Sequence, residues 1–297
     1  MTHPYASAAY AGVFEAAATP LWVPLWRTHV LTRPTPGAEA RDAAGCYPLA
    51  VLGEDADLTG GLDWLRALGL TAVGLVPDPL TAPPLAALEA AFPLCVPFKA
   101  HLLVDYGRPV RFSKHHRYEV KRSLGQVSVE EVALADHLAA WARLYGHLAQ
   151  RHGIGEDAAF TPDTFGRLAK VEGLRSLAAW GAGEVVSMHL WIVDAAQGLG
   201  YSLLAASSPE GYGRSAAYAV YDAAIRLFSD LRLLNLGAGA GLSSAADDGL
   251  TRFKRGFANA EVQAVFCGAI LDEDRYAALS GGARQATTPF PAYRFKT

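Results

Sequence analysis

Two apolar runs between residues 184 and 206, "EVVSMHLWIVD" and "GLGYSLLAA", are joined by the turn-like "AAQG" and constrain the fold more than any other feature. Runs of this length, bounded by turn residues and rich in aromatic and β-branched side chains, form strands. Around this pair the pattern alternates. Leu134, Leu138, Trp141, Leu144, Tyr145 and Leu148 recur at helical spacing up to "RHGIG", and a second helix over 163–171 follows Thr161 and Pro162. After the strand pair come the loop "SSPEGYG", a helix over 214–229, the strand "LRLLNLG" and a Gly/Ala/Ser loop over 237–246. A helix over 247–257 and the strand "EVQAVFCGAIL" complete the series. The order is helix, helix, strand, strand, helix, strand, helix, strand, which implies an α/β protein of α+β type with mixed sheets.

The first hundred residues carry shorter apolar runs punctuated by Pro and Gly. "WRTHVLTR" and "LTAVGLVP" read as strands, and 59–68 and 84–92 as helices, giving a small α/β lobe. "KAHLLVDYG" is a strand, and a helix rich in Arg and Lys follows it, with Gly125 placed to cap its end. A chain of 297 residues suits two lobes. No apolar run reaches the ~18 residues of a membrane span, and no signal-peptide pattern opens the sequence, so a cytoplasmic location is expected. Cys46, Cys95 and Cys267 are far apart in sequence and fit buried thiols better than a disulfide framework or a zinc site. A net charge of −3 argues against a protein that coats nucleic acid indiscriminately, while leaving room for a local basic patch.

Three segments carry candidate chemistry. In "DDGLTRFKRGFA" (247–258), a helical wheel with Leu250 at zero places Phe257 at about 340°, Phe253 at about 300° and Lys254 at about 40°. Arg255 and Arg252 fall at about 140° and about 200°, on the other side. Lys254 therefore borders the apolar face, where it either snorkels to water or projects its ammonium into a partly dehydrated cleft. The segment "SSPEGYGRSAAYAVYDAAIRLF" places a Gly-containing loop before an apolar helix. Free N–H groups there favour anions, although such turns are also common as plain loops. Within that helix Asp222 and Arg226 read as a surface pair.

The third segment is basic. Over residues 108–122, eight basic or histidine side chains meet one glutamate, with Lys114, Arg117 and Lys121 on one side of a helix and Phe112, His116 and Val120 on another. This is either a solvated face or a phosphate-contacting one. His115 and His116 project in different directions and make poor joint metal ligands; no metal site is expected. His189, inside an apolar strand, reads as a core histidine. No Walker loop, G-x-S-x-G elbow or H-E-x-x-H motif occurs.

The second-lobe order, together with "NLGAGAGL" and "DDGLTRFKRGF", resembles the FemAB/FemX branch of the GNAT acyltransferase superfamily, in which a Gly-rich turn after a strand precedes a helix with a Phe-Lys pair. "GCYPLAVLG", "HLLVDYG", "RFSKHHRYEVKRSLG" and "FTPDTFGRLAK" fall in the matching order. The resemblance implies two tandem GNAT-like lobes, residues 1–105 with the tail 278–297 returning to them, and residues 106–277, with the substrate in a cleft between or beside them. It implies transfer of an acyl or aminoacyl group to an amine acceptor, with aminoacyl-tRNA or acyl-CoA as the donor and no bound cofactor. Lys254 and Phe253 would face the acyl donor, with Lys254 polarising the carbonyl. Ser208, Gly211, Gly213 and Arg214 would lie near an anionic group of that donor. Arg117, Lys121 and Arg255 would contact phosphates, with tRNA a partner for the basic helix 111–124. The strict GNAT acetyl-CoA signature is absent from "SPEGYGRSAA", and no general base stands out. Two other readings use the same residues: a catalytically silent GNAT-like protein that binds an anionic small molecule or peptide, and an RNA-binding module built on helix 111–124.

Overall fold

The computed structural model describes residues 2–155, 160–239 and 249–295. Most of the Gly/Ala/Ser loop expected over 237–246, and the first two residues of the helix expected at 247, lie outside the described residues. The chain divides into two compact units, one formed by Thr2–Lys99 with Gln263–Thr297, the other by Ala100–Val262.

The first unit opens with α1 (Ala8–Gly12), β1 (Thr19–Val23), β2 (Thr28–Pro34) and β3 (Arg41–Gly45), followed by α2 (Leu58–Ala67), β4 (Ala72–Leu75) and α3 (Leu85–Ala91). The chain leaves along β5 (Leu94–Asp105). In the second unit come α4 (Lys114–Leu124), β6 (Ser128–Val132), α5 (Leu138–His152) and α6 (Pro162–Leu168), then β7 (Leu174–Gly181), β8 (Glu184–Asp194) and β9 (Leu199–Ser207). Next are α7 (Pro209–Gly213), α8 (Ala216–Leu227), β10 (Leu233–Gly237) and α9 (Gly249–Arg255). β11 (Ala260–Ile270) carries the chain back, and α10 (Glu273–Ser280) follows.

Within the first unit the strands lie in the order β1-β2-β3-β4-β11, with only β3 and β4 parallel among these pairs. α2 buries Leu58, Leu62 and Leu65 with Trp26 and Val73. Trp26 sits so close that a Cβ on Gly61 would lie 1.9 Å from its indole nitrogen, which explains a glycine inside this helix. The thiols of Cys95 and Cys267, distant in sequence, come within 3.8 Å of each other, and Cys95 is partly exposed. The C-terminal segment is held by Asp42, fully buried on β3. Asp42 accepts from the Tyr293 hydroxyl at 2.9 Å and from the Arg294 guanidinium at 2.6 and 2.8 Å, and Arg33 approaches at 3.3 Å. Burial and the adjacent carboxylate push the Tyr293 hydroxyl pKa well up, so it serves as a donor.

In the second unit the order is β5-β10-β9-β8-β7-β6. β9 and β10 run parallel and the other neighbours antiparallel. α8 lays Ala219, Val220, Tyr221 and Ile225 against Trp191, Leu234 and Leu236. The parallel ladder pairs only Leu233–Asn235 with Leu199–Tyr201, although β9 continues to Ser207. Beyond those three pairs β10 no longer covers β9. Among the described residues, no helix is long and apolar enough to cross a membrane.

The structure departs from the sequence expectations at specific places. β1, β3, β6 and β7 are additional strands; β6 is an edge strand whose "SVEEV" is mostly exposed, and β3 is a short "RDAAG", so neither shows an apolar run. The loop "SSPEGYG" is in fact the short helix α7, because Ser208 caps the Gly211 N–H and Pro209 begins the turn. Gly125 does cap α4, but with φ −79° it does not use glycine's left-handed freedom; Gly153, at φ 60°, does so for α5. Replacing Asp42 by Ala leaves the buried Tyr293 hydroxyl without its acceptor and the partly exposed Arg294 with only the Pro34 carbonyl, so a loss of about 2–4 kcal/mol in urea unfolding is expected. A loss below about 1 kcal/mol would show that the tail is anchored elsewhere.

Candidate active site

α9 presents its buried side to the end of the β9/β10 ladder. Lys254 is only 8% exposed, whereas Arg252 and Arg255 point to solvent, the division drawn by the helical wheel. The Lys254 Nζ donates to the Ala238 carbonyl at 2.7 Å. It lies beside Gly237, where an added Cβ would meet Nζ at 3.0 Å and where φ is +83°, a left-handed conformation that favours glycine. Arg255 faces Glu261 at 3.7 Å.

Phe253 lies half-buried among aromatic rings. Its centroid is 4.8 Å from Tyr218, 4.9 Å from Tyr221, 5.4 Å from Phe257 and 6.0 Å from His116. Its carbonyl accepts from the His116 Nε2–H at 2.7 Å. Ser113, which caps α4 by accepting the His116 amide, donates its hydroxyl to His116 Nδ1 at 2.8 Å. These two bonds set the imidazole tautomer, and burial lowers the ring's pKa, keeping it neutral. Gly256 admits the ring: a Cβ there would stand 2.0 Å from His116 Cε1.

His189 joins the same region. It is buried on β8 with Nε2 3.3 Å from Ser187 Oγ, which in turn lies 2.8 Å from Ser207 Oγ, and its ring meets Tyr221 edge-on at 5.3 Å. Nδ1 has no hydrogen-bond partner among the described residues. Burial first, and the positive charge of Lys254 second, lower its pKa to about 3. The imidazole is therefore neutral at ordinary pH and senses the Lys254 charge. As a core histidine it is where the sequence placed it; its link to Lys254 was missed. The available signal was polar Ser187 and His189 two apart in an apolar strand, which puts both on one face.

The other expected contacts are engaged by the protein itself. Ser208 is buried, caps Gly211 N–H and donates to the Val186 carbonyl at 3.3 Å; a Cβ on Gly211 would stand 2.2 Å from that same oxygen. Gly213 ends α7, and its carbonyl accepts from Arg122 at 3.4 Å. Arg214 pairs with Glu210 at 2.7 Å and donates to the Gln126 carbonyl at 3.1 Å. At the start of α8, the Ser215 hydroxyl donates to the buried Glu119 carboxylate at 2.7 Å, and Arg122 reaches Glu119 at 3.2 Å. A carboxylate of the chain thus occupies the end of α8 that would favour a bound anion. Arg117 and Lys121 are exposed on α4, where Arg117 donates to the Phe112 carbonyl at 2.8 Å. They line a groove whose walls do not include Phe253, Lys254 or His189. Among the described residues, no cluster of three or more His, Cys, Asp or Glu side chains is arranged to hold a metal.

No protein-family model matches the sequence, and no curated protein matches it. Its fold does match solved structures. FemX superimposes with a TM-score of 0.68 at 12% identity, covering 93% of this chain and 95% of that one. The C-terminal domain of a putative lysylphosphatidylglycerol synthetase from Agrobacterium fabrum gives 0.63 at 15% identity, covering 94% and 95%. L-PGS from Bacillus licheniformis gives 0.57 at 11%, covering 90% and 93%. The protein has the FemX-like fold that the Phe-Lys segment and element order implied.

The buried state of His189 has a measurable consequence. Unfolded, the ring takes up a proton near pH 6.5; folded, only near pH 3. Between those values the unfolded state binds more protons, so stability falls as pH drops, by about 1.4 kcal/mol per pH unit. His189→Gln is expected to flatten the change in urea midpoint between pH 6 and pH 4. An unchanged slope in the variant would mean that His189 is not held neutral.

Proposed function

We propose that the protein is an N-acyltransferase that moves an acyl or aminoacyl group from an activated ester to an amine, with Lys254 at the reacting carbonyl. The observation that carries this is a nearly buried ammonium at the point where the β9/β10 ladder stops, packed against Gly237. In a site of low dielectric, an ammonium stabilises the oxyanion that develops when an amine attacks a carbonyl. The new C–N bond forms as the ester C–O bond breaks. The proton lost by the amine goes to solvent and the leaving alkoxide takes one up. Phe253, packed against Tyr218 and Tyr221, sets the position of α9, and neutral His189 adds no second positive charge to oppose Lys254.

Between the two expected donors, the engagement of Ser208, Arg214 and Ser215 with protein partners favours an aminoacyl ester such as aminoacyl-tRNA over acyl-CoA. A coenzyme pyrophosphate at the start of α8 would meet the Glu119 carboxylate. Arg117, Lys121 and Arg255 would then contact phosphates of the donor. The Ala238 contact also supports a second reading, a silent binding protein in which Lys254 only ties down the chain after β10.

With labelled aminoacyl-tRNA and a panel of amine acceptors, Lys254→Met is expected to reduce transfer by roughly 10²–10³-fold, the scale of a lost oxyanion donor. Arg252→Met should change it only a few-fold. Transfer at the wild-type rate by Lys254→Met would overturn the site, and binding without transfer by the wild type would establish the silent reading. Coenzyme A at ~1 mM is expected to leave Tm unchanged, whereas a site of micromolar Kd would add about 4 kcal/mol.

A further inference from the structure

Two thiols of the first unit meet although the sequence keeps them far apart. β5 and β11 are neighbours in the sheet; Cys95 lies on the first and Cys267 on the second. The Cys267 thiol donates to the Cys95 sulfur at 3.8 Å. Neighbouring strands stand about 4.8 Å apart, inside the Cα separation of about 4.4–6.8 Å that a disulfide accepts. To bond, the sulfurs close to about 2.05 Å, a shift that rotation of the two side chains supplies.

The two thiols differ in access. Cys267 is fully buried in the apolar cluster that holds Val73, Leu75, Leu88 and Phe92, and Cys95 is partly exposed at the edge of that cluster. Burial raises the pKa of both; at Cys95 the hydrogen bond from Cys267 opposes that rise and Glu89 adds to it. The apolar setting also selects among products. A soft metal ion held between two thiolates would bring charge into the cluster, whereas a disulfide is neutral. Cys46 offers a contrast: it is buried, donates to the His29 carbonyl at 3.8 Å, and has its pKa pushed up to about 12 by burial. The place of the pair in the chain gives the bond an effect. The first unit is built from two separate segments, Thr2–Lys99 and Gln263–Thr297, and each carries one of the two cysteines. A bond between them joins the segments covalently and closes Ala100–Val262 into a loop.

We propose that Cys95 and Cys267 are an oxidation site for low-molecular-weight disulfides, closing into a reversible bond that ties together the two segments of the first unit. Cys95, the accessible thiol, attacks one sulfur of the reagent as its thiolate, forming a mixed disulfide and releasing one reagent thiolate. Cys267, deprotonated in turn, attacks the Cys95 sulfur; the new S–S bond forms as the mixed disulfide breaks and the second reagent thiolate leaves. The protein gives up two electrons and two protons, and the reagent ends as two thiols. Acyl transfer plays no part in this chemistry, so the two readings stand or fall separately.

Treatment of the folded full chain with oxidised glutathione at about pH 8, where the thiolate fraction is larger, tests the proposal. Thiol titration, intact mass and a non-reducing peptide map give the readout. The three free thiols should fall to one, with a mass loss of two hydrogens, a peptide pair linked through Cys95 and Cys267, and Cys46 left free. Cys267→Ser should stop at the mixed disulfide, with glutathione held on Cys95. Cys95→Ser should keep both of its remaining thiols. The urea midpoint of the oxidised wild type should lie above that of the reduced protein and return on addition of dithiothreitol, a shift that Cys95→Ser lacks. Circular dichroism melts verify that both variants are folded. A mixed disulfide that persists on wild-type Cys95, three thiols that survive the treatment, or bonds formed between chains overturn the pairing. Equal midpoints for the linked and reduced protein overturn its effect on the first unit.

Discussion

The hydrogen bond from His116 to the Phe253 carbonyl is the constraint on which the site depends. Within the described residues α9 runs over Gly249–Arg255, a length that does not persist on its own. It stands where it does because α4 holds its backbone at Phe253, Gly256 lets the imidazole close in, and Phe257 stacks with Tyr221 at 5.3 Å. Lys254 inherits its burial from that anchorage. The field of that buried charge then reaches His189 on the sheet. Residues from a basic helix, a short helix and a strand thus become one electrostatic unit.

α4 serves two environments at once, and this accounts for its composition. Its inner side supplies His116 to α9, Glu119 to the start of α8 and Val120 to the core, while its outer side carries the cations. A histidine and a glutamate in a basic helix look like minor interruptions in sequence. Here they are polar groups that tie α4 to α9 and to the start of α8.

What could be read from the sequence follows this physics. The orientation of Lys254 relative to Arg252 and Arg255 needed only helical geometry, and the strand pair β8/β9 only apolar length. The short strands β3 (RDAAG) and β6 (SVEEV) were hidden because neither carries an apolar run, and their pairing, not their pattern, makes them strands. α7 was hidden because Gly211 and Gly213 argue for a loop until the Ser208 cap and the close approach of Val186 are known. The engagement of Ser215 by Glu119 joins positions 96 residues apart, a contact no local pattern encodes. Ser187 and His189 mark a polar face of β8 in the sequence, but that His189 meets the field of Lys254 is again a long-range fact, while the aromatic setting of Phe253 was partly anticipated by the wheel.

The division of the chain into units also orders its assembly in time. Residues 100–262 are contiguous, so a ribosome has delivered every part of the second unit before β11 is complete. The first unit begins earlier yet finishes last. Until residues 263–295 emerge, β4 has an open edge and Asp42 is a buried carboxylate in waiting, without Tyr293 or Arg294. Of the two units, the one that begins first is thus the one more exposed to premature termination.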